Sequence, residues 1–261
     1  MFKTKSGKQP ICTYNIRLYH GSSVSFDDPK VDVNRGLCDY GPGFYMTEDF
    51  KRAFERALES AETDHTDRAY VMGFDYHDEL IPPDSIKVLR FSKDADWLRF
   101  VRDNRRGKDT GDYDIAIGPS ADGFIDEILD RVDRLEAISF DELSILVTEL
   151  ADNHYGDQYC FRNQALVDKY IRHVNVVEID TNMPIPAPEV ISEYVIGAFS
   201  EAHGMSVSDA REFIDRYGGT EYIERCYKSF AHMMAPDMVN TLRRHIEWAG
   251  GTCPPIVRTD I

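Results

Sequence analysis

A proline-rich segment divides this chain into two parts with different hydrophobic patterns. Residues 181–188 (TNMPIPAP) carry three prolines within eight positions. Proline fixes its own φ and lacks a backbone donor, so such a stretch is hard to build into a helix or a sheet. We therefore predict a linker over 183–188 between a first domain, 1–182, and a second domain, 189–250, followed by a loose tail, 251–261.

The first part mixes strand and helix patterns. Strands are predicted where apolar runs are short and bounded by turn residues, and helices where apolar residues recur every three or four positions. The predicted strands cover 16–20, 43–47, 70–76, 86–91, 114–119, 158–162 and 174–179, and the predicted helices cover 49–61, 124–135, 139–150 and 164–170. This order is an α+β pattern without the regular alternation of a doubly wound sheet.

The second part is helical throughout, and its pattern predicts a small all-α domain of four helices. Ser206 with Asp209 is expected to cap the second helix, and Thr220 to cap the third. Gly218-Gly219 is expected to end the second helix, and Pro236 to lie in the first turn of the fourth.

Charge and cysteine content limit the class of protein. The net charge of −16 disfavours non-specific nucleic-acid binding, although the basic stretch 97–108, interpreted as a solvated helix face, keeps a nucleic-acid acceptor open. The chain has no apolar run of membrane-spanning length, and its N-terminal segment has no secretory pattern. An odd number of irregularly spaced cysteines fits reduced thiols. We therefore predict a cytoplasmic protein with no membrane association and no metal site.

Two motifs of the first part place a histidine and a tyrosine beside glycines. LYHGS (18–22) contains His20, and DYGPGFYMT (39–47) contains Tyr45. Glycine lets a ligand approach the backbone closely, because no Cβ stands in the way. A histidine can hydrogen-bond a sugar hydroxyl, and a tyrosine offers an aromatic face. The strand that opens with Gln158 can bring an amide to the same cleft, so the set suits a ligand with riboses and a nicotinamide ring.

These motifs resemble the first two signature strands of the ADP-ribosyltransferase superfamily, in the His-Tyr branch of poly(ADP-ribose) polymerases and diphtheria-type toxins. More closely, LYHGS, DYGPGFYMT, DYDIAIGPSADG and QYCFRNQAL resemble, in order, an uncharacterised bacterial family of that clan. The C-terminal YGGTEYI and YKSFAHM resemble a second uncharacterised helical family, whose genes often lie beside the first as in toxin–antitoxin pairs. The resemblance implies an ADP-ribosyltransferase-like split mixed sheet with helical insertions, followed by a small all-α domain.

The resemblance also implies an NAD site, residue by residue. His20 would hold the adenosine-side ribose, the backbone of Gly21 would bond the nicotinamide amide, and Tyr45 would stack on the nicotinamide ring. Phe54 would supply a second stacking face. Gln158 lies where the superfamily has a catalytic glutamate, so the implied catalytic set is Gln158, Tyr45 and His20. The implied NAD-binding set is His20, Gly21, Ser22, Gly43, Tyr45, Thr47, Phe54 and Asp122.

The glutamine changes the expected chemistry. Cleavage of the nicotinamide–ribose bond builds positive charge on the sugar, which a glutamate stabilises while it orients the 2′-hydroxyl or acts as a base. Gln158 keeps the hydrogen bond but has no charge, so long-chain polymerisation is not expected. Asp122 and Asp157 are both candidates for the missing carboxylate, and the sequence does not choose between them.

The function implied is an NAD-dependent mono-ADP-ribosyltransferase or NAD glycohydrolase, toxin-like and restrained by its own helical domain. NAD would be the substrate, without a metal, and the acceptor is unidentified. The alternative is a catalytically inactive module that binds NAD or ADP-ribose, with a helical protein-interaction domain. An RNA 2′-phosphotransferase, a distant relative, is disfavoured because that branch needs several arginines in the cleft and the motifs place none beside His20 or Tyr45.

Overall fold

One mixed β-sheet organises the first part of the chain. The computed structural model describes residues 16–34, 36–82, 84–108, 110–121, 125–134, 139–149 and 156–257. The strands are β1 (Ile16–Ser22), β2 (Phe44–Thr47), β3 (Arg68–Tyr76), β4 (Val88–Arg90), β5 (Ile115–Gly118), β6 (Gln158–Phe161) and β7 (Ile171–Asp180). They lie in the order β4-β5-β6-β2-β1-β3-β7, and only the β4–β5 pair is parallel among these strands. The predicted α+β class and the predicted strands are confirmed.

The helices of the first part follow the apolar stripes of the sequence. They are α1 (Phe50–Thr63), α2 (Ala95–Arg105), α3 (Ile125–Arg134), α4 (Phe140–Glu149) and α5 (Gln164–Tyr170), with a short 3-10 turn at Asp78–Leu80. The carboxylate of Asp49 begins α1 by accepting from the backbone N–H of Arg52 at 3.0 Å. Ser139 and Glu142 form a capping box at the start of α4, in which the Glu142 carboxylate accepts from the Ser139 N–H at 2.8 Å.

The second part is all helical, as predicted, but its described residues form five helices instead of four. These are α6 (Pro188–His203), α7 (Val207–Arg216), α8 (Gly219–Arg225), α9 (Tyr227–Phe230) and α10 (Ala235–Trp248). Pro188, assigned to the linker by the sequence, is the first residue of α6, since its fixed φ suits the first helical turn.

The predicted cap at Thr220 is wrong. Helix α8 begins at Gly219, directly after Gly218, whose φ of +67° reverses the chain after α7. The Thr220 hydroxyl donates to the carboxylate of Asp215 instead of accepting from the backbone of the next turn. The predicted third helix also breaks at Cys226, which separates α8 from α9.

The two parts share one hydrophobic core. The ring of Phe54 on α1 is stacked on His232, at 5.4 Å between ring centroids. Burial lowers the pKa of His232, so the uncharged ring is favoured in this contact. The shared cluster includes Tyr19, Phe50, Phe54, Val71, Ile179, Val195, Ile196, Phe199, Phe230 and Leu242. The exposed segment before α6 therefore joins two layers that pack on each other.

A buried polar network also joins the two parts. The Tyr19 hydroxyl donates to Oδ1 of Asp237 at 2.6 Å, and the guanidinium of Arg17 lies 3.6 Å from the same oxygen. Asp237 is 2 % exposed. Burial, with the adjacent Asp237 charge, raises the pKa of Tyr19 well above its usual range, so the hydroxyl keeps its proton and donates.

We expect Asp237→Ala to lower the free energy of unfolding by about 3 kcal/mol, because it leaves a buried hydroxyl and a partly buried guanidinium without this acceptor. Urea denaturation followed by circular dichroism measures the change. Asp112→Ala is the matched control, since the 92 % exposed Asp112 carboxylate contacts only the surface cation Lys87 among the ion pairs described. The control is expected to change stability by less than about 0.5 kcal/mol, and equal losses for the two variants would contradict the assignment.

The segment 251–257 packs on the helical layer instead of lying loose. The backbone N–H of Val257 donates to the carbonyl of Ala202 in α6 at 2.8 Å, and the side chain of Ile256 packs against the shared core. The prediction of a loose tail is therefore wrong for residues 251–257, because this segment bonds α6 and packs against the shared core. Residues 258–261 lie outside the described residues.

Candidate functional site

A cavity of about 250 Å³ opens where β1 and β2 separate. The two strands share a single register pair, Tyr19 with Thr47, whereas β1 pairs with β3 along its whole length. At this divergence the His20 ring lies 2.6 Å from the main-chain oxygen of Tyr45 through its Nδ1. A carbonyl oxygen only accepts, so Nδ1 carries a proton, and in the neutral form of the ring the lone pair is on Nε2.

Three neighbouring strands bring most of the predicted site residues to this cavity. His20 and Gly21 come from β1, Tyr45 and Thr47 from β2, and Gln158 from β6. Thr47 and Gln158 are direct partners in the β2–β6 register, which explains how positions far apart in sequence meet.

The Tyr45 side chain offers a ring, and its hydroxyl is used by the preceding loop. The hydroxyl donates to the carbonyl of Gly41 at 2.5 Å and accepts from the backbone N–H of Tyr40 at 3.0 Å. Burial, helped by the thiol of Cys160, raises the pKa of Tyr45 far above its usual range. The hydroxyl therefore stays protonated and holds the loop, while the half-buried side chain lines the cavity.

Packing inside the protein explains the glycines of both motifs. A Cβ on Gly21 would lie 1.8 Å from the main-chain oxygen of Ala53, so β1 needs glycine where α1 crosses it. A Cβ on Gly43 would lie 2.6 Å from the sulfur of Cys160 on β6. Gly21 borders the cavity, but Gly43 does not line it. These glycines thus allow close contact between elements, in addition to any contact with a ligand at Gly21.

Three other candidates are not brought to the cavity, and a fourth lies outside the described residues. Phe54 points away from it into the shared core, because it lies on the apolar stripe of α1. Ser22 ends β1 and its Oγ accepts from a backbone N–H of the next turn at 3.1 Å. Asp157 does not line the cavity, and burial beside Glu48 raises its pKa. Asp122 lies outside the described residues.

Three arginines line the cavity, although the motifs themselves place none beside His20 or Tyr45. Arg52 and Arg56 are one turn apart on α1, on the side opposite its apolar stripe, and Arg105 reaches in from the end of α2. The motifs did not reveal them because helices outside the motifs supply them. The four-residue spacing on α1 was the available signal, and such guanidinium groups suit phosphate oxygens.

The carboxylate that contacts Gln158 is Asp39, which sequence reasoning missed. Asp39 is 7 % exposed, and it accepts from Arg105 Nε at 2.7 Å and from Gln158 Nε2 at 3.3 Å. Burial lowers the pKa of Arg105, but the charges of Asp39 and Asp126 outweigh this and raise it above its ordinary value. Asp39 sits one position from Tyr40 in the second motif, yet only the tertiary structure brings it to β6.

Residues 16–173 match the model of a protein family described as "Protein of unknown function (DUF3990)". The match spans more than half of the 261-residue chain. The chain belongs to this family. The matched region includes β1, β2, β6 and the cavity, and it ends within β7, before the helical layer. No curated protein and no solved structure matches the chain.

The basic stretch 97–108 of the DUF3990 region is largely neutralised by acidic side chains. Arg106 bonds Asp130 at 2.8 Å and Asp133 at 2.6 Å, both on α3. Arg105 turns towards the cavity and pairs with Asp39. The stretch therefore offers less positive surface to nucleic acid than its sequence suggests.

The described residues contain neither a metal-ligand cluster nor a membrane-spanning helix. No group of three or more His, Cys, Asp or Glu side chains there is placed to hold a metal ion. Within the same part of the chain, every helix is too short or too polar to cross a bilayer.

Proposed function

We propose that this protein binds NAD and acts as a mono-ADP-ribosyltransferase or NAD glycohydrolase. The observation that supports this proposal is the convergence of His20, Tyr45 and Gln158 at one cavity, from three adjacent strands. This is the arrangement that the ADP-ribosyltransferase resemblance implies for the ribose, the nicotinamide ring and the reacting centre.

Each lining group has a chemical role in this proposal. The Nε2 lone pair of His20 accepts from a ribose hydroxyl, and the ring of Tyr45 stacks on nicotinamide. The guanidinium groups of Arg52 and Arg56, which pair with Glu55 and Glu59 on the same helix, would attract the pyrophosphate. The cavity, at about 250 Å³, is slightly below the usual size of small-molecule sites, so it suits the nicotinamide–ribose half while the rest of the dinucleotide extends outwards.

The proposed reaction breaks the bond between nicotinamide nitrogen and ribose C1′. The bonding electron pair leaves with nicotinamide, positive charge develops on the sugar, and an acceptor nucleophile or water then attacks C1′ and loses its proton to solvent. Gln158 orients the 2′-hydroxyl by accepting its hydrogen bond, but it takes no proton. We therefore expect slow single transfer or hydrolysis, without chain growth.

Tyr45→Ala and His20→Ala are each expected to weaken NAD binding about tenfold, because they remove the stacking ring and the hydroxyl partner. Isothermal calorimetry on the full chain measures the affinity, and nicotinamide release measures turnover. Tyr45→Phe is the matched control, since it keeps the ring and removes only the hydroxyl that holds Gly41. We expect this control to bind NAD within about threefold of the wild type while melting at a lower temperature. An unmodified chain that neither binds NAD nor releases nicotinamide would refute the proposed function.

The alternative proposal is a module that binds NAD or ADP-ribose without turnover, which the uncharged Gln158 favours. Calorimetry would then show binding while nicotinamide release stays at the buffer rate.

The helical layer bears on both proposals, because no described residue from 188 to 257 lines the cavity. We therefore propose that these helices stabilise the site by packing behind α1. The resemblance instead implies that they restrain activity, which would require them to cover the cavity.

A second candidate function is removal of an RNA 2′-phosphate with NAD as co-substrate, which Arg52 and Arg56 at the cavity favour. Their charge suits a phosphate carried by an incoming substrate as well as the pyrophosphate of NAD. The test is incubation of the protein and NAD with an oligoribonucleotide that carries one internal 2′-phosphate. Loss of that phosphate only with NAD present would select this function, and an unchanged oligonucleotide would exclude it.

A further inference from the structure

The Asp39 carboxylate is surrounded by donors at the wall of the cavity. Its Oδ1 accepts from Nε of Arg105 at 2.7 Å and lies 2.6 Å from the NH2 group of the same guanidinium. Its Oδ2 accepts from the backbone N–H of Ala121 at 3.1 Å and from Nε2 of Gln158 at 3.3 Å. The Arg105 hydrogen bond and ion pair on Oδ1, with the Ala121 and Gln158 bonds on Oδ2, hold the Asp39 carboxylate in one orientation as an acceptor.

This arrangement determines which end of the Gln158 amide faces the cavity. A carboxylate beside a guanidinium accepts hydrogen bonds and does not donate them, so the NH2 group of Gln158 must face Asp39. The carbonyl oxygen of the amide is then turned away from Asp39. We propose that Asp39, anchored by Arg105, is a positioning residue that makes Gln158 present its oxygen as a hydrogen-bond acceptor for a substrate hydroxyl.

The contact between Asp39 and Gln158 also gives a reason for glutamine at the position where the resemblance implies a catalytic glutamate. A donor NH2 bonded to a carboxylate polarises the amide, which strengthens its oxygen as an acceptor. Asp39 and Gln158 together carry one negative charge, held on the Asp39 side. A glutamate at position 158 would set two carboxylates against each other, and like charges at this distance repel. The glutamine is thus the residue type that fits beside Asp39.

The geometric claim is tested without any ligand, by nuclear magnetic resonance of the Gln158 side-chain amide in the full-length protein. The resonance pair is assigned by its disappearance in Gln158→Ala. Asp39→Asn is expected to shift this pair and to raise the exchange of its protons with water about tenfold, because the charged acceptor is lost. Asp126→Asn is the matched control. The Asp126 carboxylate is 77 % exposed and is a second ion-pair partner of Arg105, so the substitution alters Arg105 while Asp39 stays in place. The control is expected to leave the Gln158 amide unchanged.

The functional consequence rests on the proposed NAD reaction and is tested by nicotinamide release. Asp39→Asn is expected to lower kcat about tenfold while KM changes less than about threefold, the pattern of a group that acts on the reacting centre. Gln158→Glu alone is expected to give no gain, because it places a carboxylate against Asp39. The double variant Asp39→Asn/Gln158→Glu restores one amide and one carboxylate, and its kcat is expected to exceed that of Gln158→Glu about tenfold.

The outcomes separate this inference from the proposed function. Gln158 amide resonances that stay unchanged in Asp39→Asn would overturn the positioning role whether or not NAD is a substrate. An unmodified chain that does not use NAD would refute the proposed reaction, while the shifted resonances would still support the positioning role. A double variant no faster than Gln158→Glu, in a chain that does release nicotinamide, would also overturn the inference.

Discussion

Removal of residues 188–261 is expected to unfold the remaining chain instead of releasing an active NAD-binding domain. The helical layer covers α1 and the sheet through direct contacts: the Phe54 ring stacks on His232, and the Tyr19 hydroxyl bonds Asp237. Full exposure of a buried side chain the size of phenylalanine costs about 1.5–3 kcal/mol. Several such side chains lie in the shared core, and a domain's whole stability is about 5–15 kcal/mol.

Helix α10 also contacts the strands of the cavity. The guanidinium of Arg244 lies 2.9 Å from the carboxylate of Glu48 and donates to its main-chain oxygen at 2.5 Å. The Glu48 carboxylate accepts from the hydroxyl of Tyr159 on β6 at 2.5 Å. Glu48 directly follows β2, so loss of α10 removes a contact next to Thr47 and Gln158. We therefore expect the cavity to change shape when the shared core is lost.

Two altered chains test this expectation against the alternative that the two parts are independent domains. The first ends at residue 187, and it should aggregate or show no cooperative thermal transition in circular dichroism. The second is the full chain with a protease site placed in the exposed stretch 182–186. After cleavage, its two pieces should co-elute in size-exclusion chromatography, because the shared core still holds them. Pieces that separate and stay folded would contradict the shared-core interpretation.

Gly21→Ala is expected to destabilise the protein by about 3 kcal/mol or more, at or above the upper end for overpacked sites. The new Cβ would lie 1.8 Å from the main-chain oxygen of Ala53 and 2.7 Å from the main-chain nitrogen of Ala57. Both atoms belong to the backbone of α1, so no side-chain rotation relieves the clash. The helix must move away from β1, which also shifts Arg52 and Arg56 at the cavity.

Gly36→Ala is the matched control for this substitution. Gly36 lies between the two motifs, directly before the cavity-lining Leu37, and a Cβ there meets no atom within 4 Å. We expect this control to keep its stability within about 0.5 kcal/mol of the wild type. Urea denaturation measures both variants, and a Gly21→Ala chain as stable as Gly36→Ala would show that α1 does not press on β1 as described.

Local patterns sufficed to predict most elements of the fold. The short apolar runs of β1 and β2, bounded by turn residues, and the apolar stripe of α1 are local features of the sequence. The break between α8 and α9 was missed because the apolar spacing continues through Cys226. Phe54 was assigned to the ligand although its place on the same stripe indicated the core.

The strands that carry His20, Tyr45 and Gln158 are predictable from short local motifs. The groups that surround these three side chains depend on the tertiary fold. Asp39 meets Gln158, and the arginines of α1 and α2 enter the cavity, because sheet order and helix packing bring together residues distant in sequence. The helical pattern after the linker likewise does not predict where these helices pack, since an amphipathic helix needs an apolar surface but does not specify which one.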